Sequence, residues 1–126
     1  MPDSSPPDAT NPTPSPQFLI HVRDLIFSSK ITATARAQGV SFKAIRDAAV
    51  LLETSAPRLL IDLNDADRLA TAIAWKKRHG GHVTGFASHV ATDTLAAARE
   101  GGIDRVMSNG GFTAQLPAIV RGEAAD

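Results

Sequence analysis

The chain contains no cysteine, which excludes disulfides, thiolate metal sites and a thiol nucleophile. It carries no net charge, with 13 Lys and Arg against 13 Asp and Glu. A protein that grips nucleic acid through its phosphates shows a basic excess, so no nucleic-acid partner is expected. No apolar run approaches the roughly 18–20 residues that a membrane helix needs. The N-terminus lacks a positive stretch followed by an apolar one, so no secretory signal is expected either. These absences leave a cytoplasmic protein with no membrane partner. Its 126 residues suit one domain with enough core to be stable unaided.

Residues 1–16 hold six of the eight prolines and almost no apolar side chains. Such a segment cannot bury enough surface to offset its ordering entropy, so a disordered Pro-rich tail is expected there. Residues 17–122 form the expected domain, and 123–126 a short C-terminal tail. Within the domain, short apolar runs alternate with helical patterns. Strands are expected at 18–22, 40–43, 58–63, 83–87 and 105–107. Helices are expected at about 24–38, 46–55, 65–79, 91–100 and 112–120. Asp24 is placed to cap the first helix, and Gly39 to stop it. Pro117 leaves the start and length of the last helix open. Five βα units at this spacing predict an α/β, flavodoxin-like doubly wound fold, with a five-stranded parallel sheet in the order 2-1-3-4-5. The chain ends just after the fifth helix, so no second domain is expected.

The most informative stretch is Arg58-Leu-Leu-Ile-Asp-Leu-Asn64. Its continuous apolar run reads as a buried central strand. Such a strand delivers its last side chain, Asp62, to the carboxyl edge of the sheet, where open α/β folds place their sites. A carboxylate there is partly desolvated and needs a partner, a metal or a chemical use.

This order and spacing resemble the receiver domain of two-component response regulators over residues 18–121. The resemblance rests on the Leu59-Leu-Ile-Asp62-Leu-Asn64 segment in the third of five units, on the Ala96–Asp104 stretch before the fifth strand, and on Phe112. It implies that Asp62 stands at the phospho-acceptor position. In the family, an acidic pair after strand one holds Mg²⁺ together with that Asp and a carbonyl two residues beyond it. A hydroxyl ends strand four and a lysine ends strand five. The chemistry is positioning plus electrostatic stabilisation of an in-line phosphoryl transfer.

Carried across, the resemblance supplies only some of these parts. Asn64 offers its carbonyl. Val22 and Arg23 stand where the acidic pair belongs, with Asp24 one place late. Hard Mg²⁺ wants oxygen ligands, and Arg23 brings a positive charge instead. Ala87 stands at the hydroxyl position, followed by Ser88. Ser108-Asn109-Gly110-Gly111 replaces Lys-Pro, and no lysine follows Lys77. Arg23 is therefore expected to pair with Asp62 and to stand in for both missing cations.

Other residues invite readings of their own. The four histidines, His21, His79, His82 and His89, do not share the i, i+4 spacing of a helical zinc site, and no zinc is expected. His89, next to Ser88, is the candidate for proton transfer or anion contact. The Asn109–Gly111 segment reads as a loop, either cradling an anion or making a turn that needs positive φ. Lys76-Lys77-Arg78-His79 is a basic cluster where a helix dipole favours one.

The resulting expectation is a stand-alone, degenerate receiver-like domain, not an enzyme. It has no required cofactor and acts on a signalling partner such as a histidine kinase or a separate effector. Region 91–120 is the expected homodimer face. The pocket is expected to contain Arg23, Asp24, Asn64, Ala87, Ser88 and Asn109 around Asp62. A second reading keeps Asp62 as a working phospho-acceptor, with Asp24, Asp62 and Asn64 as weakened Mg²⁺ ligands. A third is a small flavodoxin-like ligand binder or enzyme, with a pocket at Ser88, His89 and residues 109–111.

Overall fold

The computed structural model describes residues 16–123. The tails expected at 1–16 and 123–126 lie outside these residues, apart from Pro16 and Glu123. Five strands, β1 (Phe18–His21), β2 (Phe42–Ala44), β3 (Arg58–Asp62), β4 (His82–Ala87) and β5 (Arg105–Ser108), alternate with six helices. These are α1 (Leu25–Gln38), α2 (Ala48–Leu52), α3 (Ala66–His79), α4 (Thr92–Glu100), α5 (Asn109–Ala114) and α6 (Leu116–Val120). All strand pairs are parallel, in the order β2-β1-β3-β4-β5. This is the doubly wound architecture predicted from the βα alternation.

The central strand explains its own sequence. A parallel strand covered by helices on both sides must be apolar at every position rather than at alternate ones. Leu59, Leu60 and Ile61 are all essentially inaccessible. Successive side chains go to opposite faces. Leu59 and Ile61 join Leu51, Ala72, Trp75, Leu95 and Ala98 beneath α2, α3 and α4. Leu60 joins Ile31, Ala35, Phe86, Phe112 and Ile119 beneath α1, α5 and α6. Stacked Phe86 and Phe112, with ring centroids 4.1 Å apart, centre this second layer.

Three boundaries differ from the sequence expectation, each for a local reason. The second strand starts at Phe42 rather than Val40, because Val40 is used in closing α1. Gly39 takes a left-handed φ of 71°, and the Val40 amide reaches back to the Ala35 carbonyl at 2.9 Å. The second helix is only five residues long. Asp47 caps it by accepting from the Ala49 amide at 2.8 Å, which leaves Arg46 outside.

The third correction concerns the C-terminal segment. The expected helix at 112–120 is two short helices that break at Gln115. Pro117 has no N–H to continue the ladder, and it sits in the first turn of the second piece, where that donor is dispensable. The first piece begins early. Ser108 Oγ accepts from the Gly111 amide at 3.0 Å, so Asn109-Gly110-Gly111 is a helical first turn and not a loop. Neither Gly110 nor Gly111 has positive φ, which overturns the turn reading of this segment.

Candidate functional site

β1, β3, β4 and β5 all end at one edge of the sheet, and their registers define who meets there. His21 pairs with Ile61, which puts Asp62 one step beyond the end of β1. Asp62 is in register with Phe86, and Ala87 with Ser108. Asp62 therefore caps the central strand between β1 and β4, and only 4% of it is exposed.

A carboxylate buried this far needs donors. Both hydrogen bonds that Asp62 accepts among the described residues come from Asn64. The Asn64 amide lies 2.8 Å from Oδ1 and the Asn64 Nδ2 lies 2.6 Å from it. The first is an Asx-type turn, in which a side chain mimics the backbone of the next turn. Asn64 then reaches across the edge, where its Oδ1 accepts from the Ser88 amide at 3.1 Å. Asp62, Asn64 and Ser88 thus form one chain of hydrogen bonds that ties the end of β3 to the loop after β4. Ser88 is otherwise spent on its own turn: its Oγ accepts from the Val90 amide at 3.4 Å and its carbonyl from the Ala91 amide at 2.9 Å.

The remaining expected pocket residues are not drawn to Asp62 by any hydrogen bond. Arg23 does not pair with it, contrary to the expectation. Its Nη1 donates to Asp65 Oδ2 at 2.8 Å, and the side chain is 74% exposed. The reason is that Asp65, at the start of α3, offers a solvated carboxylate, whereas Asp62 is buried and already supplied with donors. Asp24 is engaged as the cap of α1, accepting from the amides of Ile26 at 2.8 Å and Phe27 at 3.1 Å. Ala87 is fully buried at the end of β4. Asn109 opens α5, and its side-chain oxygen is buried with no hydrogen-bond partner among the described residues.

The donor set does not fit Mg²⁺. Hard divalent ions need several convergent oxygens. Here one carboxylate is a helix cap, Asp62 Oδ1 is filled by Asn64, and an arginine occupies the neighbouring position. Among the described residues, no three His, Asp or Glu side chains gather where they would hold a metal ion.

The histidines are also dispersed. His21 is buried, and its Nδ1 lies 2.8 Å from the Ile45 carbonyl. His79 Nε2 lies 2.8 Å from the Leu52 carbonyl, and His82 and His89 are exposed. Burial pushes the His21 pKa below its ordinary value. The nearby Arg68 guanidinium adds to this, while the Ile45 carbonyl and Asp62 oppose it. The unfolded chain therefore binds a proton more readily than the fold does. The neutral His21 contributes stability that is present above about pH 6.5 and is lost as the pH falls toward the depressed folded value. Urea unfolding between about pH 8 and 5 should show this loss, and His21→Gln should flatten the slope in that window.

Sequence reading missed three participants at this edge. Arg68 donates to the His21 carbonyl at 3.0 Å and lies 3.6 Å from Asp65. Asp65 accepts from Arg23 across 42 positions in the chain. Arg46 lies beside them on a common groove. The i, i+3 spacing of Asp65 and Arg68 was the only local signal available.

No protein-family model matches the chain, and no curated protein sequence does. Solved structures do match. The NtrX structure from Brucella abortus superposes with a TM-score of 0.71 at 15% identity, covering 86% of this chain and 26% of that one. The isolated REC domain of RcsB from Salmonella enterica serovar Typhimurium gives 0.68 at 17% identity, covering 86% of this chain and 90% of that one. The beryllofluoride-activated NtrC4 receiver domain dimer gives 0.63 at 13% identity, covering 86% and 99%. This chain thus spans about a quarter of NtrX but nearly the whole of the two isolated receiver domains. The likeness is one of fold, and the fold is that of a response regulator receiver domain.

Proposed function

We propose that this chain is a degenerate receiver module that signals through protein–protein contacts and does not run Mg²⁺-dependent phosphorylation at Asp62. The observation that carries this reading is the Asp62–Asn64–Ser88 chain of hydrogen bonds. In a working receiver, the acceptor oxygen must be open to a phosphoryl donor and faced by a cation. Here both Asn64 donors fall on Oδ1 of Asp62, and no cation faces the carboxylate among the described residues. Val22 and Arg23 replace the acidic pair, and Ser108-Asn109 replaces the lysine. Phosphoryl transfer depends almost wholly on such charge placement, so losing these groups together removes most of the rate.

The proposed partner is another signalling protein, a histidine kinase or a separate effector. NtrC4's receiver domain is a dimer, and the corresponding self-association here is assigned to region 91–120. The proposed location is the cytoplasm. In keeping with this, no helix among the described residues is long and apolar enough to cross a membrane.

Treatment with acetyl phosphate, or with beryllofluoride and Mg²⁺, tests the reading. The expected result is no mass gain and no amide shift change at residues 62–64 and 88. A phosphoryl adduct on Asp62 that disappears in Asp62→Asn would establish the working phospho-acceptor instead.

A further inference from the structure

A groove of about 540 Å³ opens at the same edge of the sheet, on the β2 side of Asp62. It lies outside the carboxyl ends of β1 and β2 and against the first turns of α3. From β1 the chain runs to β2 on one side, and β3 lies on the other. The groove therefore sits by the topological switch point, the crevice where open parallel sheets take their ligands. Its size falls within the range of small-molecule sites, about 300–1,000 Å³.

Its charge is distinctive in a chain with no net charge. Three guanidiniums line it, from Arg23, Arg46 and Arg68, against the carboxylates of Asp65 and Asp67. Asp65 is shared between two of them: it takes Arg23 Nη1 at 2.8 Å and has Arg68 Nε at 3.6 Å. Arg68 is held further by the His21 carbonyl and is only 14% exposed, so its position is fixed by the fold. Arg46 is exposed, and among the described residues it makes no hydrogen bond or ion pair. Asp47 caps α2 with its own carboxylate and leaves Arg46 just outside the helix, at the rim. Planar guanidinium forks match the geometry of phosphate oxygens, and they bind them more strongly than a neutral donor set would.

We infer that this groove binds a small phosphorylated organic molecule, with its phosphoryl group held by Arg46 together with Arg23 and Arg68, the two guanidiniums that share Asp65. A nucleotide-sized phosphomonoester fits the volume, whereas a bare ion would leave most of it empty. The site is separate from Asp62 and does not depend on whether that carboxylate accepts a phosphoryl group.

Amide chemical-shift titration of the full chain with AMP, and with inorganic phosphate for comparison, tests the inference. The expected result is saturable shifts at residues 21–23, 45–48 and 65–68, with AMP binding more tightly than phosphate. Arg46→Ala should weaken AMP binding by about tenfold, and Arg46→Glu should abolish it. Arg46 is exposed and makes no hydrogen bond or ion pair among the described residues, so both variants should keep the wild-type melting temperature. Lys77→Ala, which removes one positive charge at the far end of α3, should leave the affinity unchanged. The inference is overturned by an absence of saturable shifts, by shifts centred elsewhere, by binding that survives Arg46→Glu, or by an equal loss in Lys77→Ala.

Discussion

Trp75→Ala lowers the stability of this fold by about 3–5 kcal/mol, the range for deleting a large buried aromatic side chain. Trp75 is fully buried on the α3 side of the sheet, and its Nε1 donates to the Thr54 carbonyl at 2.9 Å. The indole both fills the core and joins α3 to the connection after α2. The backbone around it is moulded to its ring: a Cβ at Gly81 would lie 2.6 Å from Trp75 Cη2 and 2.7 Å from the Ala56 carbonyl oxygen. Rigid backbone on that side cannot collapse into the space left by the ring, so the cavity term stays large. For a domain of this size the melting temperature should fall by roughly 12 °C or more. Trp75→Phe keeps most of the volume and loses the hydrogen bond, at a cost of about 1–2 kcal/mol. Trp75 is the only tryptophan, so circular dichroism rather than fluorescence should follow the transitions. A loss below about 1 kcal/mol for the alanine variant would contradict this account of the α3 core.

Asn64→Asp is expected to be worse than Asn64→Ala, although it is the closer match in shape. Alanine removes the Nδ2 donor to Asp62 and the acceptor for the Ser88 amide. That costs about 1–2 kcal/mol, and the Asp62 carboxylate keeps its backbone donor from residue 64. Aspartate instead puts a second carboxylate where a donor stood 2.6 Å from Asp62 Oδ1. Like charges this close disfavour the doubly ionised site, and the loss at neutral pH should reach about 2–3 kcal/mol. Solvent reaches residue 64 and limits the effect. On acidification one proton can be shared by the pair, so the gap between the two variants should narrow as the pH falls. Urea unfolding of both variants across the acid range measures this directly. Amide exchange at Ser88 should quicken by about tenfold in Asn64→Ala, because the latch on the loop after β4 is gone. If both variants unfold like wild type at every pH, the latch carries no energy and the static picture of this edge fails.

Much of this was legible in the chain itself. The five βα units, the parallel sheet and its order followed from periodicity and connection length, because burial on both faces forces an unbroken apolar strand such as Leu59–Ile61. The position of Asp62 at the strand's end followed from the same argument. So did the caps at Asp24 and Gly39, since both are contacts between residues close in sequence. The pairing of side chains across the edge was not legible. Arg23 was expected on Asp62 because both lie at the same end of the sheet. Which carboxylate it reaches depends on a register and a helix start that are 42 positions away in the chain.

The C-terminal segment shows the same division on a smaller scale. Pro117 left the start and length of the last helix open without revealing the break at Gln115, and Ser108 turned an apparent glycine loop into a helical first turn. Local chemistry, in short, determined the elements, their order and the carboxylate at the centre. Tertiary packing alone decided that Asn64 reaches the Ser88 amide across the edge, that Arg23 goes to Asp65 and that three arginines meet on one groove. Side-chain pairing across an edge depends on distances between elements, and nothing in a local pattern encodes those.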